Sequence, residues 1–156
     1  MKKKIIIAII LVLIIGLLAF ANMNKISSVS WIPWGDINNT NGIAMSGYDP
    51  VAYFTLNRAT VGDETISYNW KNVEWQFAST EHLALFKETP EKYAPQYGGY
   101  CATAISIGLT ADVDPRSWHI EDGKLYLFFN GDPKNDYIAD IGDGIIQKSE
   151  SKWNNR

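Results

Sequence analysis

Cys101 is the one thiol among 156 residues, and it follows the pair Gly98-Gly99. The small-residue run Ala102 to Ile107 comes next and predicts a short buried helix ended by Gly108. A thiol at a helix N-terminus meets partial positive charge, which favours the thiolate. Paired glycines also let another group approach the backbone closely. Cys101 therefore reads as a soft metal ligand or a reactive thiol. The ordinary alternative is a buried small hydrophobe, the fate of most free cysteines. The chain's two histidines are its candidate partners. His119 falls on a predicted hairpin strand, on the face opposite Trp118 and Ile120, where the plain alternative is a solvent-facing side chain. His82 lies three residues after Ser79, near the start of a predicted helix. The dipole there disfavours imidazolium and keeps the ring neutral for a metal; the alternative is a partly buried structural histidine.

The carboxylates nearest these loops are Asp49, Asp112, Asp114, Glu121 and Asp122. Asp112-Val113-Asp114 is only a fragment of a calcium loop, without the glycine and closing glutamate of that pattern. Asp122 is a turn residue and Asp49, in Gly47-Tyr48-Asp49-Pro50, reads as a cap on backbone donors. No P-loop, dinucleotide fingerprint, nucleophile elbow or HExxH helix occurs. A single cysteine excludes an intramolecular disulfide and an all-cysteine metal cage. These absences favour a binding role over catalysis.

These residues need a scaffold. The segments Ile66–Trp70 and Val73–Phe77 alternate apolar and polar about Lys71-Asn72, which predicts a hairpin. Ser117–Glu121 and Lys124–Phe128 flank Asp122-Gly123, a second hairpin. Val51–Phe54 reads as a short buried strand. Ser79 is an N-cap for a helix running to about Glu88, stopped by Pro90. Pro90–Tyr93 predicts a further turn, and Lys134–Trp153 one or two amphipathic helices broken near Gly142 and Gly144. The expected class is α+β: a small antiparallel sheet with hairpins, packed against three or four helices.

Residues 5–21 carry no polar side chain and follow Lys2-Lys3-Lys4. A basic flank before such a run marks an export signal or a membrane anchor over residues 1–21. Ala19-Phe20-Ala21 fits a signal-peptidase site, whereas the 17-residue run reaches the lower limit for a spanning helix. In both cases the remainder is expected outside the cytoplasm, periplasmic or otherwise extracytoplasmic, and tethered to the membrane if residues 5–21 are retained. Residues 22–42 read as a polar linker holding Trp31 and Trp34, with the domain over 43–156. Without residues 1–21 the chain carries 11 basic and 17 acidic residues, a net of −6. That charge attracts cations and excludes nucleic acid as a partner.

Tyr48-Asp49-Pro50-Val51-Ala52-Tyr53-Phe54, Trp75-Gln76-Phe77-Ala78-Ser79, and Phe86 through Pro90-Glu91-Lys92-Tyr93 together resemble the YHS domain. Tyr93 through Ala102, Asp114-Pro115 through Trp118, and Asp122 through Leu127 are similar to its longer exported branch. The likeness spans roughly residues 43–153. Metal-binding members carry cysteines where this chain has Ala52, Ala78 and His82, so their thiolate cage has no counterpart here. The position of Cys101 is usually cysteine in the exported branch, which implies thiol chemistry or soft-metal binding. The first expectation is therefore a domain that handles copper or another soft transition-metal ion through Cys101 with His119 and His82. The alternatives are a non-catalytic small-ligand or protein interaction module and a thiol-based redox protein.

Overall fold

Lys2–Met23 form one helix, α1, whose apolar side chains lie outside the packed body. It is long and apolar enough to cross a membrane, as an export signal or an anchor also is. The computed structural model describes residues 2–129 and 144–156.

The predicted hairpins form. β3 (Asp63–Trp70) pairs antiparallel with β4 (Val73–Phe77), and β5 (Asp114–Glu121) with β6 (Lys124–Phe128). At both turns the two central residues have positive φ: 54° and 63° at Lys71-Asn72, 49° and 72° at Asp122-Gly123. That geometry matches the right-handed twist of the flanking strands. Ahead of them lie β1 (Asn39–Thr40) and β2 (Ile43–Ala44). The first sheet has the order β1-β2-β4-β3, and β2 runs parallel to β4. The class is α+β as expected, but the sheet is mixed and β5-β6 stands apart as a second sheet.

Val51–Phe54 is not a strand. Ala52–Thr55 form a helical turn, α2. Asp49 Oδ1 accepts from the N–H groups of Val51 at 2.8 Å and Ala52 at 3.3 Å, which starts a helix where the apolar run suggested extension. α3 (Thr80–Glu88) begins at its Ser79 cap, whose hydroxyl accepts from His82 N at 3.1 Å. α4 (Pro90–Tyr93) and α5 (Ala102–Ser106) are short, and Gly108 follows α5 at φ +82°. α6 (Ile146–Asn154) closes the described chain. The rest of the tail expected to be helical, including the break at Gly142, lies outside the described residues.

Two apolar clusters share β6. Leu125 and Leu127 enter the first, with Trp75, Phe77, Phe86, Tyr53 and Val51. Tyr126 and Phe128 enter the second, with Tyr97, Tyr100, Ala102 and Ile105. Alternate residues of one strand therefore face two cores, as the unbroken apolar run of β6 requires. Trp153 of α6 closes the second cluster over Tyr97, ring centroids 6.0 Å apart.

The segment read as a polar linker is hydrogen-bonded to the body. Asp112 N donates to Asn24 O at 2.8 Å, Thr110 N to Ser27 O at 2.8 Å and Val29 N to Gly108 O at 3.0 Å. Lys25 Nζ donates to Asn38 Oδ1 at 2.7 Å and Asn39 O at 2.8 Å, and lies 3.4 Å from Asp112. Further on, Asn38 N donates to Gly98 O at 2.8 Å. Val29 is buried in the second cluster, whereas Trp31 is 71% exposed.

Candidate functional site

Cys101 stands where β6 ends and α5 begins. Its N–H donates to Ala111 O at 3.1 Å, and its carbonyl accepts from Ile105 N at 3.0 Å. The side chain lines a cavity of about 280 Å³ with Phe20, Thr103, Ile107, Phe128 and Phe129. Nearly all of the lining is apolar. Phe20 comes from the last turns of α1, so this wall of the cavity belongs to the helix that precedes the domain.

The surroundings of the sulfur favour the thiol over the thiolate. Burial pushes its pKa up, and this outweighs the opposing pull of the N–H groups of Ala104, Phe129 and Thr103. The N-terminal field expected to lower it is weak, because α5 has only five residues and the surroundings are apolar. Alkylation of Cys101 by iodoacetamide is therefore expected to run slower at pH 7 than that of an exposed cysteine, whose pKa is about 8.5. Rate against pH, measured on the folded chain and after denaturation, checks this. A folded thiol reacting faster than the unfolded one contradicts it. The Thr103 hydroxyl oxygen is buried and has no hydrogen-bond partner among the described residues. Among the described residues the lining thus holds one buried side-chain oxygen without a partner in otherwise apolar surroundings.

His82 is held elsewhere. Its Nδ1 lies 2.5 Å from Asp49 Oδ2, and its Nε2 lies 3.0 Å from Thr55 Oγ1. Both ring nitrogens are engaged, which leaves none for a metal. Asp49 is fully buried and also accepts from Ala78 N at 2.8 Å. One carboxylate therefore joins the start of α2, the end of β4 and the first turn of α3. This is the capping role its sequence context predicts, extended to a histidine.

His119 lies on β5 opposite Tyr126, on the face away from Trp118 and Ile120, as alternation requires. Its Nε2 meets Glu121 Oε2 at 2.9 Å near the surface. Cys101, His119 and His82 thus each have their own surroundings and are not gathered into one cluster among the described residues. Among the described residues no group of three His, Cys, Asp or Glu side chains can hold a metal ion. The physical reason is competition. Asp49 claims one imidazole, Glu121 the other, and apolar packing surrounds the sulfur.

The close approach expected at Gly98-Gly99 is real, but the approaching group is the chain itself. A Cβ on Gly98 would stand 1.8 Å from Asp36 O. Sequence reasoning missed Phe20, Ile107 and Phe129 as site residues, because they belong to an apparent signal, a helix end and a strand end. Their shared apolar character was the available signal. Comparison of the chain with family models, with curated proteins and with solved structures finds no match in any of the three.

Proposed function

We propose that the chain is an exported, membrane-tethered domain of the YHS type that binds a small apolar ligand without transforming it. The observation that carries this reading is the cavity of about 280 Å³ around Cys101, with its apolar lining and the unpartnered Thr103 hydroxyl among the described residues. Its size lies just below the ~300–1,000 Å³ usual for ligand pockets, which suits a narrow guest. Cation handling, the first expectation of the resemblance, has no gathered donor set among the described residues to support it. Redox or nucleophilic use of Cys101 finds neither a depressed thiol nor, among the described residues, an adjacent base to support it.

The test uses 1-octanol as probe and the full chain held in amphipol, free of lipid. Octanol titration is expected to shift the methyl NMR signals of Ile26 and Ile107, which line the cavity, saturably. The methyl of Ile66, in the first cluster, should not respond. Ala104→Trp, which fills the cavity, is expected to abolish the response. Absence of a saturable shift at Ile26 and Ile107 overturns the reading.

A further inference from the structure

α1 ends at Met23, and the body's hydrogen bonds begin at the next residue, where Asn24 O accepts from Asp112 N. Ser27 then bonds Thr110 in both directions, N to Oγ1 at 3.1 Å and O from N at 2.8 Å. The helix therefore enters the domain without slack. Phe20 lies three residues before the end of α1, roughly 5 Å along its axis at 1.5 Å per residue. In a spanning helix that depth is the boundary between headgroups and hydrocarbon.

The cavity rim carries the same signature. Ile107 is 70% exposed and Phe129 43%, and both share the cavity with Phe20. Leu109 at 38% and Trp31 at 71% add exposed apolar surface on the segments beside α5 and after α1. Water is a poor neighbour for such a set, whereas a bilayer interface accepts aliphatic side chains and favours tryptophan.

From this continuity, and resting on the binding role proposed above, we infer that the cavity opens toward the bilayer and takes one phospholipid acyl chain from the leaflet beneath the domain. A cavity of about 280 Å³ admits the end of a single chain and excludes a whole lipid. The occupant's headgroup stays in the interface. No bond is made or broken.

The test places the full chain in phosphatidylcholine nanodiscs containing phosphatidylcholine with a diazirine at the end of one acyl chain. After irradiation, adducts mapped by mass spectrometry are expected on Thr103, Ala104 or Phe128 as well as on α1. Ile107→Asp, a charge at an exposed rim position, is expected to cut the cavity adducts about tenfold while leaving those on α1, because a carboxylate disfavours the bilayer side. Ala104→Trp is expected to remove the cavity adducts, with a thermal melt of both variants showing that they fold. Adducts confined to α1 overturn the inference. If octanol still saturates Ile107 in that case, the cavity fills from water and the binding role stands. If octanol also fails, both fall together.

Discussion

Gly98→Ala is expected to lower stability by roughly 2–5 kcal/mol, a large share of the 5–15 kcal/mol typical of a domain. Gly98 has φ +63°, a conformation that a Cβ disfavours. The new methyl would also stand 1.8 Å from Asp36 O, a backbone atom that cannot swing aside as a side chain would. Relief requires residues 36–38 to lift away. That motion strains the bonds from Asn38 N to Gly98 O and from Asn38 Nδ2 to Gly99 O, 2.8 and 3.1 Å long. Gly123→Ala is the control. It shares the positive φ, at +72°, but its Cβ would meet nothing within 4 Å. It is expected to cost only about 1–2 kcal/mol. Thermal melts of the full chain separate the two, since each kcal/mol moves Tm by about 2–4 °C at this size. Equal shifts for the two variants contradict the close packing of 36–38 on Gly98.

Asp49→Ala is expected to cost about 3–5 kcal/mol, because each buried donor left without its acceptor costs about 1–3 kcal/mol. Its two oxygens accept from Val51 N, Ala52 N, Ala78 N and the His82 ring. Truncation strands all four donors in a region where Asp49 is fully buried. His82→Ala removes one donor and leaves three bonds to the carboxylate, so it is expected to cost less. The two changes share a contact, so the double variant is expected to be less destabilised than the sum, by about 1–3 kcal/mol. Strict additivity in melts of the three variants contradicts a direct Asp49–His82 interaction.

What the sequence disclosed follows from the range of the forces involved. Lys71-Asn72 and Asp122-Gly123 specify their hairpins locally, through turn residues that tolerate positive φ. Ser79 and Pro90 bound α3 for equally local reasons. Val51–Phe54 misled because a four-residue apolar run suits either a strand or a buried helical turn. Asp49 decides between them by capping. Cys101 misled in a different way. The dipole argument concerns neighbours in the chain, whereas desolvation by Phe128, Phe129 and Ile107 comes from the whole fold. His82 and Asp49 are 33 positions apart, and Phe20 and Phe129 farther still, so no local pattern announces either meeting. The docking of residues 24–38 was hidden because its bonds reach partners far along the chain, such as Ser27 to Thr110 and Asn38 to Gly99, 83 and 61 positions apart.

β6 is one strand thick and buried on both sides, with Leu125 and Leu127 toward one cluster and Tyr126 and Phe128 toward the other. Neither cluster can melt alone without baring a face of this partition to solvent. The protons on its backbone nitrogens should therefore exchange with deuterium only through global opening, and their exchange rates report the free energy of the entire domain.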